Sequence, residues 1–158
     1  MLKLTLAAGG RLEIPPHAII AVMKPADGIN PAAVMYDMGA GLQIDQLGDQ
    51  YGWLKKTAND ASAFDNPLEV TTVEHWVVGE GADAVQASGE GKMLFSRSRV
   101  VGRRDLTDGG PAKGRLFIRL DERAVTVNTV ETLDEMDGVE AEIVPAKPIA
   151  KPILKAGE

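Results

Sequence analysis

The chain has 158 residues, which is enough for one ordinary domain or two very small ones. Hydrophobic residues make up 44% and aromatic residues only 4%, so the core of a folded protein of this composition must be aliphatic. The net charge is −6, and the absence of cysteine excludes disulfide frameworks and thiolate metal sites. No apolar run approaches the length of a membrane span, and the opening MLKLTLAAGG is too short an apolar run for a signal peptide.

The first part of the chain is predicted to be a series of short strands. Apolar and polar residues alternate over Leu2–Leu6, which is the period of a strand with one buried face. After the turn Ala7–Gly10 the alternation resumes in Arg11–Ile14, so these two strands form a hairpin that ends at Pro15. Three more strands are predicted at Ala18–Met23, Val34–Met38 and Leu42–Ile44.

Leu47, Tyr51 and Leu54 then follow at helical spacing, which predicts one short helix that ends near Lys56. The polar segment Thr57–Pro67 is predicted to be a loop or linker.

The second part of the chain is also predicted to be rich in strands. Leu68–Val78 is its most β-prone run, and the Gly-rich, acidic Gly79–Gly91 is predicted to be a long loop. Further strands are predicted at Lys92–Phe95, Val100–Val101, Arg115–Leu120 and Ala124–Val130, with a loop at Arg103–Gly114 and one helical turn at Thr132–Met136.

An internal repeat relates the two parts. Gly10–Ile20 returns as Gly91–Val101, and the matched pairs share one separation along the chain: Arg11 with Lys92, Leu12 with Met93, Ile14 with Phe95, Ile19 with Val100 and Ile20 with Val101. Asp27-Gly28 aligns with Asp108-Gly109 at that separation too, which matches a turn as well as a strand. We therefore predict a duplicated β unit.

The C-terminal segment has a different composition. Glu142–Glu158 contains the tetrapeptide Ala-Lys-Pro-Ile twice in succession, and its three prolines exclude a helix and a central strand. One interpretation is a solubilising tail. Its apolar side chains favour the other interpretation, an extended arm that lies on its own domain or, as we prefer, on a neighbouring subunit.

Charge is distributed in blocks along the chain. Residues 61–91 carry six acids and no Lys or Arg, residues 92–123 carry nine basic residues and four acids, and residues 124–144 carry six acids and no Lys or Arg. These blocks are either opposite faces of one solvated domain or a basic surface that meets an acidic one on another subunit. Nucleic acid is not an expected partner, because the chain as a whole is acidic.

We find no pattern typical of an active site. The two histidines, His17 and His75, have no partner at a metal-ligand spacing, and we interpret both as structural. The carboxylates lie in loops without a paired arrangement, and no serine has a nucleophile-elbow context. The prediction is a protein that is not an enzyme and that uses no cofactor and no metal.

Two stretches resemble known families. Arg99–Arg103 has the form RxxxR and Asp105–Gly110 the form DxTxxG, which together resemble the cyclic-di-GMP signature of PilZ domains, although in that family a much longer segment separates the halves. The opening pattern, through Gly10, Leu12 and Ile14, resembles small β proteins of FlbD type encoded in flagellar operons. The second resemblance implies a β fold and no function.

The predicted fold is mainly β, with two related small β units that are sandwich- or barrel-like, one or two short helices and an extended Pro-rich C-terminal arm. The predicted domains are residues 1–60 for the first unit, residues 61–141 for the second and residues 142–158 for the arm. Small β units leave edge strands that must be covered, and oligomerisation can cover them.

The predicted function is that of a structural assembly protein of the tailed-bacteriophage virion, of the capsid cement or decoration type. Such a protein forms homo-oligomers, contacts the major capsid protein or other virion subunits, and resides in the virion after assembly in the host cytoplasm, with no membrane partner. The alternative is a cytoplasmic β module that binds a nucleotide or nucleic-acid phosphate through arginines. The candidate interaction residues are Arg97, Arg99, Arg103, Arg104, Ile149, Lys151, Ile153 and Leu154.

Overall fold

The computed structural model describes residues 1–138, and in this range the chain forms ten strands and two short α-helices. The strands are β1 (Leu2–Thr5), β2 (Arg11–Ile14), β3 (Ile19–Lys24), β4 (Ala32–Tyr36), β5 (Gln43–Leu47), β6 (Pro67–Val78), β7 (Val85–Ser96), β8 (Val100–Asp105), β9 (Gly114–Leu120) and β10 (Arg123–Thr129). The helices are α1 (Tyr51–Asp60) and α2 (Leu133–Met136). The predicted mainly-β class is confirmed, and the predicted arm at residues 142–158 lies outside the described range.

All strand pairs in the described range are antiparallel. Eight strands form one sheet in the order β5-β4-β3-β7-β6-β10-β9-β8, and β1 and β2 form a separate two-stranded sheet. An isolated bridge between Leu6 and Leu47 links the small sheet to β5. The strands therefore follow one another in a single spatial series from β2 at one end to β8 at the other. No helix among the described residues has the length and apolar character needed to cross a membrane.

The chain builds the same unit twice. Each unit consists of a hairpin, a short 3₁₀ turn, three strands and a helix. The first unit runs from β1 to α1, with its 3₁₀ turn at Pro16–Ala18, and the second runs from β6 to α2, with its turn at Arg97–Arg99. The separation between the two turns is that of the repeat in the sequence, so the structure follows the repeat.

The strand register of the two units is also the same. In the first hairpin Leu2 lies opposite Ile14, and in the second Leu68 lies opposite Phe95. The strand β1 thus corresponds to β6, with Leu2 equivalent to Leu68, while β2 corresponds to β7, with Ile14 equivalent to Phe95. The second hairpin is longer than the first, so its two strands lie further apart along the chain.

Hydrogen bonds outside the strands repeat as well. The Thr5 amide donates to the Asp49 carboxylate at 2.7 Å, and the Thr71 amide donates to the Glu131 carboxylate at 2.8 Å. The two acids are slightly further apart than the aligned residues of the repeat, because the loop before β9 is longer than the loop before β4. Since both acids satisfy an amide at the same place in the unit, the correspondence includes side-chain roles as well as the backbone path.

Each unit encloses its own mostly aliphatic core. The first core contains, among others, Leu4, Ile14, Val22, Leu47 and Leu54. The second contains, among others, Val70, Met93, Phe95, Leu116 and Ile118. Because only 4% of the residues are aromatic, Leu, Ile, Val, Met and Ala fill most of both interiors.

The units are joined where β3 pairs with β7. Ala21 and Met35 of the first unit pack into the second core, while Leu94 of the second unit packs into the first. The eight-stranded sheet therefore runs through both units, and the domain boundaries at residues 60/61 and 141/142 remain predictions.

The loop predicted at Gly79–Gly91 is shorter than expected, because β6 ends at Val78 and β7 already begins at Val85. Its glycines do not interrupt the strand. A Cβ on Gly91 would lie 2.4 Å from the Lys24 carbonyl oxygen, so the position needs glycine to admit a neighbouring backbone. The loop predicted at Arg103–Gly114 is also shorter, since β8 continues to Asp105 and β9 starts at Gly114.

The predicted helix begins later than its first periodic residue. Leu47 ends β5, and α1 runs over Tyr51–Asp60, so its last turn occupies the start of the predicted linker. Tyr51 and Leu54 are buried as the helical spacing indicates. Leu47 is also buried, but it belongs to a strand, so its place in the helical spacing is a coincidence.

Candidate functional site

The second hairpin extends well beyond the rest of the sheet. Each of its strands has 12 residues, whereas β10 reaches only Thr72 on one side and β3 only Lys92 on the other. From residue 73 to residue 90 the two strands pair only with each other. We call this part the protruding hairpin.

The protruding hairpin has an apolar tip and an acidic character. The side chains of Val77, Val78 and Val85 are 63%, 53% and 64% exposed. Residues 73–90 carry four acids and no Lys or Arg. Val78 and Val85 lie directly opposite each other, and Val77 lies next to them on the other face of the hairpin.

Trp76 braces the base of this hairpin. A Cβ on Gly89 would lie 3.0 Å from the Trp76 ring and 3.0 Å from the Ala26 carbonyl oxygen. The half-buried indole thus covers a glycine on the neighbouring strand and packs beside the loop that follows β3. At its base the hairpin therefore approaches the first unit closely at Gly89, whereas its tip lies beyond the neighbouring strands.

Two of the predicted arginines converge on the end of α2. Arg97 donates from Nη2 to the Met136 carbonyl oxygen at 2.9 Å. Arg103 makes two hydrogen bonds to Asp137, of 2.6 Å and 3.2 Å. The Arg103 hydrogen bonds hold the pKa of Asp137 below its usual value and raise the pKa of Arg103 itself.

The other two predicted arginines lie apart from that pair. Arg99 donates to the Arg119 carbonyl oxygen at 3.2 Å and lies 3.9 Å from Asp121 in the β9–β10 turn. Arg104 is exposed and lies opposite Arg115 on β9. The structure therefore does not gather the four guanidinium groups around one point.

The remaining predicted interaction residues are those of the arm, and they lie outside the described residues: Ile149, Lys151, Ile153 and Leu154.

A polar cluster ties the helix of the first unit to the second unit. The Tyr51 hydroxyl donates to Glu69 at 2.7 Å, and Lys55 Nζ lies 2.9 Å from the same carboxylate oxygen. Burial raises the pKa of Glu69, but the hydrogen bonds from Tyr51 and Lys55, with the positive charges of Lys55 and Lys92, more than offset burial and leave it below its usual value. Burial first, and then the bond to Glu69, raises the pKa of Tyr51.

An open cleft lies on the sheet where the units meet. Its cavity volume is about 290 Å³, and three methionines, Met23, Met35 and Met93, form much of its wall. Methionine is flexible and polarisable, so such a wall adapts to the shape of an apolar group. Among residues 1–138, no group of three or more histidines and acids is arranged to hold a metal ion.

Sequence reasoning missed the protruding hairpin because glycine-rich segments usually predict loops. The β-prone character of Val73–Val78 is plain in the sequence, but its partner strand, Val85–Gly91, has almost no β-prone residues after its first.

Comparison with known proteins found no matching protein-family model, no matching curated protein and no matching solved structure.

Proposed function

We propose that this protein is a structural assembly protein, and that its setting is the virion of a tailed bacteriophage, where it acts as a capsid cement or decoration subunit. The observation that carries the assembly role is the protruding hairpin. A folded chain gains nothing from a two-stranded extension whose valines remain in water. An assembled chain gains apolar contact area there.

The apolar tip suits a partner surface with a shallow apolar groove and a basic rim. Fully burying a valine side chain contributes about 1.5 kcal/mol. Each of the three tip valines is exposed by slightly more than half, so burial of all three contributes about 2–3 kcal/mol before the entropic cost of association. The four acids of the hairpin add electrostatic steering towards a basic partner.

The titratable clusters of the described residues have structural roles that fit this proposal. Glu69 is held by Tyr51 and Lys55, and Asp137 is held by Arg103. Each of these charged groups pairs with a neighbour from another element, which stabilises packing between elements.

The test is the composition of purified virus particles from the source that encodes the chain. We expect quantitative mass spectrometry to find the wild-type chain in fixed proportion to the major capsid protein. The variant Val77→Thr/Val78→Thr/Val85→Thr keeps strand propensity but removes the apolar tip, and it should be absent from particles. The control Ile44→Thr changes a residue that is 54% exposed on β5 and should be incorporated normally. Particles without the wild-type chain, or with the triple variant at the wild-type level, would contradict the proposal.

The arm residues Ile149, Lys151, Ile153 and Leu154 remain part of the proposal as a tether. A chain truncated after Val144 should fold but should be lost from particles more readily than the full chain.

The alternative function, phosphate binding, is supported by one observation. Arg104 and Arg115 both line a cleft of about 280 Å³ beside the β8–β9 strands. Asp105 and Asp108 line the same cleft, and their negative charge opposes a phosphate, so we place this function second. It predicts nucleotide binding that requires Arg104 and weakens as salt is added.

A further inference from the structure

The way the two units pair inside the chain indicates how two copies of the chain could pair. Within the chain, β3 of the first unit pairs with β7 of the second. By the repeat, β3 corresponds to β8 and β7 corresponds to β2. Among the described strands, β8 pairs only with β9 and β2 pairs only with β1. Each therefore has one side that no described strand covers, and these two sides are the equivalents of the surfaces that pair inside the chain.

We propose that this protein associates head to tail with further copies of itself, through antiparallel pairing of β8 in one copy with β2 in the next, in the register of β3 and β7. The inference rests on the proposed assembly role and names one partner for it, a second copy of this chain. We call β2 with its neighbour β1 the head surface, and β8 with the end of α2 the tail surface.

The register brings opposite charges together. Inside the chain Val22 lies opposite Leu94, and the corresponding residues between copies are Arg103 and Glu13. Inside the chain Lys24 lies opposite Lys92. Between copies this like-charged pair becomes Asp105 and Arg11, which attract. Directly opposed residues of opposite charge stabilise a strand pair, whereas like charges destabilise it.

The helix contact repeats in the same way. Inside the chain Lys55 of α1 lies 2.9 Å from Glu69 of β6. The equivalent of Lys55 is Asp137 and the equivalent of Glu69 is Lys3, so the charges are exchanged but remain complementary. Three residue pairs of the proposed junction therefore carry opposite charges, although their residues differ from those of the internal junction.

These charges are already arranged in pairs before association. Lys3 lies directly opposite Glu13 on the head surface, where Arg11 also lies 2.9 Å from Glu13, and Arg103 is bonded to Asp137 on the tail surface. Docking places Lys3 beside Asp137 and Glu13 beside Arg103, which makes a square of four alternating charges. The pairs within each copy, Lys3 with Glu13 and Arg103 with Asp137, remain intact in this arrangement.

Exposed apolar area on the tail surface fits the same contact. Val101 of β8 is 54% exposed, whereas its equivalent in β3, Ile20, is 2% exposed because the second unit covers it. In the head-to-tail contact the first unit of the next copy covers Val101. A contact of this kind uses two different surfaces of each subunit, so it continues into a ring or a helical filament.

Disulfide trapping tests the register directly, because the chain contains no cysteine. Directly opposed residues of an antiparallel pair have Cα atoms about 4.5–5.5 Å apart, which is within the range of a disulfide. We expect an oxidised mixture of Glu13→Cys and Arg103→Cys chains to give a covalent heterodimer, and the double variant to give a ladder. The matched control pairs Glu13→Cys with Arg104→Cys, whose side chain points to the opposite face of β8, and its yield should be at least tenfold lower.

Reciprocal charge exchange tests the energetics. The head variant Lys3→Glu/Glu13→Arg and the tail variant Arg103→Glu/Asp137→Lys each keep net charge, and each keeps two opposite charges side by side in its own chain. The head variant also removes the carboxylate that Arg11 contacts, so the mixture of the two variants is the decisive measurement. We expect each variant alone to associate at least tenfold more weakly than wild type by sedimentation velocity. An equimolar mixture of the two should recover association, because the head of one variant is again complementary to the tail of the other.

The outcomes separate this inference from the proposed function. Equal disulfide yields for the Arg103 and Arg104 pairs, or charge-exchanged variants that associate like wild type, would overturn the head-to-tail contact even if the chain is found in virus particles. A disulfide-linked ladder and restored association in the mixture of variants would support the head-to-tail contact even if the chain is absent from virus particles. In that case only the proposed virion setting would be contradicted.

Discussion

The close approach at Gly91 gives the most sharply defined stability prediction. A Cβ at this position would lie 2.4 Å from the Lys24 carbonyl oxygen, 2.9 Å from Thr72 Oγ1 and 3.1 Å from the Ala26 amide nitrogen. Two of these three atoms belong to the backbone of the first unit, so they cannot move without displacing the strand β3 or its following loop. Overpacking of this kind costs typically about 1–3 kcal/mol. We therefore expect Gly91→Ala to lower the free energy of unfolding by about 2 kcal/mol.

The measurement is urea unfolding followed by circular dichroism, with the free energy obtained by linear extrapolation. The matched control is Gly52→Ala, the same chemical change in α1, where nothing lies within 4 Å of the new Cβ. Because glycine is a poor helix former, this control should stabilise the chain by about 0.5–1 kcal/mol. If Gly91→Ala cost less than about 0.5 kcal/mol, the packing of β7 against the first unit would not be as described.

Three further changes test individual contacts. Glu69→Gln removes the carboxylate that Tyr51 and Lys55 hold. Because the folded pKa of Glu69 lies below its usual value, wild type should exceed the variant in stability by about 1 kcal/mol at neutral pH, and this difference should disappear as the pH falls through the folded pKa. Neither tyrosine should ionise at pH 10 in the folded chain, since the bond to Asp45 raises the pKa of Tyr36 to about 12 and Tyr51 is shifted in the same direction; tyrosinate absorbance at pH 10 would contradict this. Thr132→Ala removes the capping box of α2 and should cost about 1 kcal/mol in thermal unfolding.

Much of the fold was predictable because the two units have apolar residues at equivalent positions of the sequence. Ile14 and Phe95, which align in the sequence, are two buried residues at the same place in two hairpins. Asp27 and Asp108 begin equivalent turns, each accepting a hydrogen bond from an amide two residues later. These are local sequence patterns, and such patterns predict the positions of strands and turns well.

The candidate site was less predictable because it depends on pairing across the chain. Val85–Gly91 has little strand propensity of its own, and only its long partner β6 makes it a strand. The basic block predicts one surface of arginines, but Asp137 and the carbonyl of Met136 take two of them. Lys3 and Glu13 give no signal by themselves, since their complementarity with the tail surface becomes visible only when the register is known.

The most direct test of head-to-tail assembly is the mass of the wild-type full-length chain in solution, measured by sedimentation velocity over a range of protein concentrations. Because the proposed contact brings three pairs of opposite charges together, we expect a mass well above the 16.8 kDa of one chain at about 50 mM salt, and a lower mass at about 1 M salt, where charges are screened within about 3 Å. A chain that remains at 16.8 kDa at every concentration and at both salt levels would contradict head-to-tail assembly.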